Sequence, residues 1–543
     1  MDATGRQRHR ISGLCAIVLA LVLGACSGAG QHSGPTLEQL QAALARSLLG
    51  SLDREQPARV QVSAGAPEEV LRVLYENRDF EPIWVDSHGA NERGRQLLAR
   101  LSDADVDALN PEHYGLAEIL DPLAAGDIDG LASAELYFSR ALMRYAADLK
   151  GERPDDAMVV AVASSVADFS RYLDSLLPQD PDYRRLRAAM RLYLGIANEG
   201  GWPTMPEGPA LRLGVTDARI LLLRRRLGAT GDLAAAEARS ESEVFDATIE
   251  AALRRFQSRH GLAEDGLVGA NTLAALNVPI ADRIAEIAAN LEQRRNETPK
   301  SGDRAVIVNI AAQELRLIED GTEILRSRTI IGREGWETPL LSSEIRAVEI
   351  NPTWTVPRRI ALEEILPAAR KAGPGYFDRR GYRLFDAGMR ELDTAAIEWE
   401  KISDDYLPYV LRQDAGGANA LGRVKFLFPN DQDIYLHDTP GRALFKRPVR
   451  AFSHGCVRVE KADELAVLLL GSGAGWGEAD YQRVLRSGRT VRVRLNDPMP
   501  VHLVSFTVWV EADGTVQFRN DPYTRQDPEH DTARPQDGEG NYL

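Results

Sequence analysis

The run Ser453-His454-Gly455-Cys456-Val457-Arg458 decides how this chain is read. It contains one of three cysteines; the others are Cys15 and Cys26, near the N-terminus. Cys15 lies in an apolar leader and Cys26 at its end, so processing there leaves Cys456 as the free thiol. An unpaired thiol in an oxidising compartment is a liability unless its chemistry is used. The bland alternative is a buried, inert cysteine, so the neighbours must decide. A cysteine attacks as its thiolate, and a nearby histidine or a helix N-terminus lowers its pKa. Gly455 makes an elbow before Cys456, and a helix is expected just beyond, at 462–470. The main-chain N–H groups of Gly455 and Cys456 can then face an oxyanion. His454 lies two residues before the thiol, and His437 closes the strand Ile434-Tyr435-Leu436 upstream. A lone thiol, two histidines and a glycine elbow together point to a cysteine enzyme. Residues i and i+2 of an extended run face the same way, so His454 stays open beside His437 as the base.

Outward from that run, the N-terminus reads as a targeting segment. Arg6, Arg8 and Arg10 precede the apolar stretch Ile11 to Leu23. That stretch is too short for a span of about 20 residues. It ends in Leu23-Gly24-Ala25-Cys26, which resembles a bacterial lipobox, with cleavage before Cys26 and lipidation of it. Ser27 stands where an inner-membrane retention signal often has Asp. The expectation is a lipoprotein signal peptide at 1–25 and a tether at 26–65 with one amphipathic helix, Leu37 to Leu49. The location expected is the periplasm, with a lipid anchor in the outer membrane of a Gram-negative bacterium. A net charge of −15 and the absence of a long basic run exclude nucleic acid as a natural partner.

At 543 residues, with 44% hydrophobic and 27% charged residues, the chain needs several cores. Residues 66–210 read as a helical scaffold, with Leu136, Ala141, Met143, Tyr145 and Leu149 near a period of 3.6. Residues 211–278 read as a small helical unit, opening with a basic amphipathic helix at Ile220 to Leu227. Its Phe256-Gln257-Ser258-Arg259-His260-Gly261-Leu262 and Asp265-Gly266-Leu267-Val268-Gly269 resemble the three-helix peptidoglycan-binding domain. A linker follows at 279–302, entered by a charged helix. From Arg304 the period changes to two, which predicts an antiparallel β domain over 303–497. An insertion at about 362–420 interrupts it and reads as a subdomain or lid. C-terminal strands are expected at 498–525 and a disordered tail at 526–543. The fold class expected is therefore multidomain α+β: a mostly helical N-terminal scaffold, a three-helix domain and a mainly β catalytic domain with a lid.

His437 followed by Ser453-His454-Gly455-Cys456-Val457-Arg458 is similar to the signature of the YkuD-type L,D-transpeptidase catalytic domain. Asn351-Pro352-Thr353-Trp354-Thr355-Val356-Pro357, Asn419-Ala420-Leu421-Gly422-Arg423 and Gly200-Gly201-Trp202-Pro203 resemble its large YcbB-like branch. So does Phe506-Thr507-Val508-Trp509-Val510, and the likeness runs from about 66 to 525. Asp438 departs from simpler members, where Gly often follows the histidine. The resemblance implies Cys456 as nucleophile and His437 as general base and acid. It implies peptidoglycan stem peptides as partners: a donor tetrapeptide, and the side-chain amine of diaminopimelate as acceptor. The product would be a 3-3 cross-link made through a Cys456 thioester. Ser453, His454, Gly455 and Arg458 would shape the oxyanion site and hold the loop, Arg458 alternatively binding a substrate carboxylate. Tyr435, Asp438, Trp354 and Asn419 are candidates for the pocket. Carbapenems are the expected inhibitors, and no cofactor is implied. No metal is expected: His437, His454 and Cys456 could supply three zinc ligands, but a motif such as His-Glu-x-x-His is missing. The same residues would serve an L,D-carboxypeptidase, a cross-link hydrolase, or attachment of a lipoprotein to peptidoglycan. A wall-binding scaffold with a vestigial site is the non-enzymatic alternative.

Overall fold

The computed structural model describes residues 34–52, 67–151, 154–163, 165–297, 304–373, 375–397, 399, 402 and 407–523. The expected signal segment, Cys26 and the acidic tail lie outside these residues. The chain divides into two compact units.

The first unit is helical. Leu40, Ala43, Leu44 and Leu48 recur at helical spacing, so the helix Leu37–Leu52 has one apolar stripe. All four are buried in the unit's core, and the helix packs on Ile128–Lys150. The expected tether is corrected accordingly: this part of 26–65 belongs to the helical unit. Ile128–Lys150 opens on Asp127, whose side chain accepts from Gly130 N, and closes on Gly151 in the left-handed conformation. At its centre Glu135 is fully buried. It accepts hydrogen bonds from Tyr75 Oη (2.7 Å) and from the main-chain N–H of Ile83, Trp84 and Val85 at 2.5, 2.9 and 3.0 Å. That carboxylate fixes the start of a small ribbon, β1 (Val85–Asp86) and β2 (Gly89–Ala90). The expected linker at 279–302 is corrected too. Its helix Ile280–Glu297 packs on Pro181–Asn198, with Ile287 and Leu291 buried and Arg294 ion-paired to Asp180 (3.1 Å) and Asp182 (3.3 Å).

The second unit contains a three-helix domain and the main sheet. The helices Arg219–Ala229, Ala247–Arg259 and Ala270–Asn277 enclose Leu223, Leu227, Leu253, Phe256 and Leu276. Gln257 pins the turn: its amide donates to Asp265 (2.7 Å) and its carbonyl accepts from Gly266 N (2.9 Å). Two arginines of the first helix turn into the core. Arg224 and Arg226 are each 1% exposed, held by Asp246 (2.6 Å) and by the carbonyl of Leu276 (2.8 Å).

The sheet is built from β3 (Ala305–Asn309), β4 (Glu314–Glu319), β5 (Thr322–Gly332), β6 (Leu341–Ile350), β11 (Val424–Leu427), β12 (Leu436–His437), β13 (Ala451–Ser453), β14 (Val457–Val459) and β15 (Val491–Val504). The order is β13-β5-β14-β12-β11-β6-β15-β3-β4, and β4 also pairs with β5. The pairs β12–β14, β15–β3 and β13–β5 are parallel, so the sheet is mixed, not purely antiparallel as expected. The boundary expected at 497 falls inside β15, which pairs with β6 on both sides of a register shift between Arg494 and Met499. Alternate residues of these strands, among them Val306, Leu317, Val348, Phe426, Leu436, Val457 and Val459, meet the helix Ala462–Ala474 through Leu465, Ala466 and Leu469. Burying each large apolar side chain contributes about 1.5–3 kcal/mol.

Between Ile350 and Val424 the chain leaves this sheet. It builds a second one from β7 (Trp354–Thr355), β8 (Tyr382–Phe385), β9 (Glu391–Leu392) and β10 (Val410–Gln413), in the order β7-β10-β8-β9. Ile360, Ile365, Phe377, Leu384 and Leu411 give this excursion a core of its own.

Candidate active site

The run that contains Cys456 enters the sheet as β14. Its parallel register with β12 pairs Leu436 with Val457 and His437 with Arg458. Side chains alternate along a strand. Leu436, Val457 and Val459 face the core, so Tyr435, His437, Cys456 and Arg458 share the opposite face. That face forms the wall of a cavity of about 1270 Å³, lined also by Trp336, Trp354, Glu364, Lys425 and His454. The register carries further: Lys425 pairs with His437, Glu349 with Lys425, and Arg492 with Glu349. Arg492, Glu349, Lys425, His437 and Arg458 thus form one row across five strands.

The loop before Cys456 is fixed by main-chain demands. Gly455 has φ of 101°, which L side chains rarely adopt, and a Cβ there would lie 3.2 Å from Ile434 Cδ1. Ser453 Oγ donates to the carbonyl of Cys456 (2.5 Å) and accepts from Gly455 N (3.2 Å). Ser453 and Gly455 therefore support the loop. The Gly455 N–H goes to Ser453, not into the cavity as an oxyanion donor. Thr338 Oγ1 donates to the Gly455 carbonyl (2.7 Å), and Tyr523 Oη donates to Gly332 O (2.6 Å) and accepts from Thr338 N (3.3 Å). Cys456 is half-buried, with Sγ 3.7 Å from the carbonyl of Asp433. Burial pushes its pKa up, while hydrogen bonding by Tyr435 and the charges of Lys425 and Arg458 pull it down; the net shift is upward.

His437 is buried, and its Nδ1 lies 2.5 Å from the carbonyl of Asp438. A carbonyl only accepts, so Nδ1 carries the proton and Nε2 keeps its lone pair. Burial first, then the Arg458 charge, pulls the imidazole pKa down to about 3. The ring is therefore neutral at pH 7, with a basic nitrogen available. Tyr435 packs 5.6 Å from it, centroid to centroid, and carries Lys425 Nζ 3.7 Å above its own ring. Burial raises the Tyr435 phenol well above its ordinary range.

His454 is placed differently. Its Nε2 lies 2.7 Å from Glu364 Oε1, and its ring meets Trp336 edge-on at 4.6 Å. Glu364 comes from Ala361–Ile365 of the excursion, a π-helical turn of the kind often found at functional sites. It also takes a hydrogen bond from Arg333 (2.8 Å). With its Nε2 engaged there, His454 ties the excursion to the loop that precedes Cys456.

Two pocket candidates are corrected. Asp438 is buried away from the cavity: its carboxylate accepts from Arg423 N (2.9 Å) and pairs with Arg442 (2.8 Å), while its carbonyl orients His437. Asn419 is 1% exposed and binds main chain, donating to Pro352 O (3.1 Å) and Asp414 O (2.8 Å) and accepting from Leu421 N (2.8 Å). Tyr435 and Trp354 do line the cavity, as does Arg458. Lys425, Glu349, Arg492, Trp336 and Glu364 were not among the expected residues. Strand alternation in Val424-Lys425-Phe426 could have flagged Lys425; nothing local marks Glu364.

Residues 303–493 match the family model of the YkuD L,D-transpeptidase catalytic domain. Residues 216–276 match the "Putative peptidoglycan binding domain" and residues 69–190 a scaffold domain. A Haemophilus influenzae protein named "Putative L,D-transpeptidase" is 43% identical over 213 residues, which cover 39% of this chain and 43% of that protein. This chain thus matches less than half the length of that relative. A crystal structure of an L,D-transpeptidase from Stackebrandtia nassauensis is 15% identical, covering 56% of this chain and 97% of its own with a TM-score of 0.21. An L,D-transpeptidase from Mycobacterium smegmatis is 12% identical, covering 37% and 59% with a TM-score of 0.18. Residues 303–493, with Cys456 and its cavity among them, are thus similar to the YkuD L,D-transpeptidase catalytic domain, and residues 216–276 before them to a peptidoglycan-binding domain.

Proposed function

We propose that this chain is a peptidoglycan L,D-transpeptidase that joins stem peptides by 3-3 cross-links through a thioester at Cys456. The observation that carries the reading is the buried His437, its Nδ1 held by the Asp438 carbonyl, which lines the same cavity as Cys456. In acylation His437 Nε2 takes the thiol proton as Sγ attacks the donor carbonyl. The amide C–N bond breaks, His437 returns the proton to the leaving amine, and a thioester remains. In the second half the acceptor amine attacks the thioester and gives its proton to His437, and Cys456 leaves as thiolate and recovers that proton from His437. A neutral resting pair suits this cycle, because proton transfer then accompanies each attack.

The excursion supports transfer over hydrolysis. Trp354, Ile360, Glu364 and Tyr376 from it line the same cavity as Cys456. A cover of this kind limits water at the thioester. The site lies outside the cytoplasm on this reading, with Cys26 as the lipid anchor. The domain at 216–276 would hold glycan near the catalytic cavity's substrates, and carbapenems would acylate the same thiol.

The test is purified chain with tetrapeptide stems, read by mass spectrometry. Cross-linked dimers with loss of the terminal residue are expected. Tripeptide alone would make the enzyme a carboxypeptidase, and no turnover would contradict the proposal.

A further inference from the structure

Tyr523 lies past the stretch 303–493, and the acyl transfer above gives it no part. Its ring is nonetheless buried in the core of the main sheet. Its hydroxyl binds both ends of the turn 332–338: it donates to Gly332 O (2.6 Å) and accepts from Thr338 N (3.3 Å). The two ends are also tied to each other, with Gly332 N donating to Thr338 Oγ1 (2.9 Å). The turn folds so tightly that a Cβ on Gly332 would collide with the carbonyl of Trp336.

The closed turn grips the loop before Cys456 at two points. Arg333 N donates to Ser453 O (3.0 Å), and Thr338 Oγ1 donates to Gly455 O (2.7 Å). The second bond has a direct consequence for the thiol's neighbourhood. Gly455 O and Cys456 N–H belong to one planar trans peptide and point in opposite directions. Holding the carbonyl therefore aims the N–H. Gly455 N–H is spent on Ser453 Oγ, which leaves the Cys456 N–H as the main-chain donor for an oxyanion.

The same C-terminal segment is anchored at its other end on the three-helix domain. Phe518 is buried and stacks on His260, with ring centroids 5.4 Å apart and planes 9° from parallel. Arg519 donates from Nη1 to the carbonyl of Arg259 (2.9 Å) and from its main-chain N to Thr507 O (2.8 Å). Its guanidinium lies 5.0 Å from the centre of the Trp509 ring. Gly261, with φ of 66°, leaves room for it: a Cβ there would lie 2.6 Å from Arg519 Cδ. Four residues separate this anchor from Tyr523, a reach of at most about 14 Å, so little slack remains between them.

We propose that Tyr523 is a positioning residue for the acyl transfer: seated from the three-helix domain through Phe518 and Arg519, its hydroxyl clips the turn 332–338 and so sets the Gly455–Cys456 peptide. The inference rests on the acyl-transfer reading above and adds to it a residue from the C-terminal segment.

The experiment measures kcat and KM for release of the last residue of a tetrapeptide donor by the full chain. In Tyr523→Phe, which keeps the buried ring, kcat should fall about tenfold with KM within about twofold, because the aim of the peptide is lost and the cavity is not. Thr338→Val should lose as much, while Thr338→Ser, which keeps the hydroxyl, should stay within about twofold of wild type. The double variant Tyr523→Phe with Thr338→Val should be no slower than the slower single, since both break one path. Arg519→Met should lower kcat about threefold by loosening the seat. Wild-type kcat in Tyr523→Phe overturns the positioning role, and so do losses that multiply in the double variant or an equal loss in Thr338→Ser and Thr338→Val. A Tyr523→Phe chain that calorimetry finds unfolded at the assay temperature makes the hydroxyl a folding element and overturns it too. Arg519→Met at the wild-type rate overturns the seat on the three-helix domain. If wild type releases no residue, the acyl-transfer reading falls and the positioning role with it; wild-type turnover that Tyr523→Phe leaves untouched overturns the role alone.

Discussion

His454 Nε2 lies 2.7 Å from Oε1 of Glu364, a carboxylate that the excursion supplies across 90 residues of sequence. This contact tells the two histidines of the site apart. One is bound to a carboxylate and holds the loop; the other, His437, keeps a free nitrogen. It also joins the excursion to the loop that carries Cys456. Burial raises the pKa of Glu364, but hydrogen bonds from Arg333 and His454 outweigh it and hold the carboxyl below its ordinary value.

Glu364→Gln keeps the shape and removes the charge. Turnover of stem peptides should fall by about tenfold, since a charge-assisted hydrogen bond is replaced by a neutral one. Steady-state kinetics beside Arg333→Gln checks this. Wild-type rates in both variants would remove the pair from the account.

The pH dependence follows from His437. A base works unprotonated, and its folded pKa of about 3 lies well below its ordinary value. Protonation therefore depletes the active form only as pH falls towards about 4. The profile of kcat/KM should be flat from about pH 5 to 7. An acid limb with a midpoint near the ordinary histidine value of about 6.5 would contradict the burial argument.

Gly455→Ala places a Cβ 3.2 Å from Ile434 Cδ1 on a backbone with φ of 101°. The strain should cost about 1–3 kcal/mol. Calorimetry should show a lower melting temperature, and alkylation of Cys456 by iodoacetamide should change rate because the loop shifts. An unchanged thermogram would mean the loop relaxes freely.

In the helical unit, Glu135→Gln tests the buried carboxylate. Oε2 accepts from the N–H of both Trp84 and Val85, and an amide NH₂ there would face two donors. Burial lifts the Glu135 pKa to about 7, yet four donors oppose its protonation. Each donor left unmatched costs about 1–3 kcal/mol, so the unit's unfolding transition should drop by several degrees. A transition at the wild-type temperature would show that the amide repacks.

What could be read in the sequence was local. Ser453 to Arg458 and His437 lie close along the chain, and parallel pairing of short strands brings them together. Tyr435 followed from alternation on that strand. Glu364 and Lys425 arrive by tertiary path and cross-strand register, which spacing in the sequence does not reveal. Asp438 and Asn419 were misjudged for a common reason. Polar residues beside a catalytic run often serve buried main chain, and these two satisfy Arg423 N, Leu421 N and the carbonyls of Pro352 and Asp414. The helix Leu37–Leu52 was legible as a helix, but not the core that covers its stripe.

The central claim is a covalent acyl group on Cys456. The direct measurement is the intact mass of wild type and Cys456→Ala, quenched during turnover of a tetrapeptide donor, with peptide mapping of the adduct. Wild type should gain the mass of the donor less that of the released amino acid, on the peptide that contains Cys456. Cys456→Ala should gain nothing and make no dimers. An adduct elsewhere, or dimers formed by Cys456→Ala, would contradict the account.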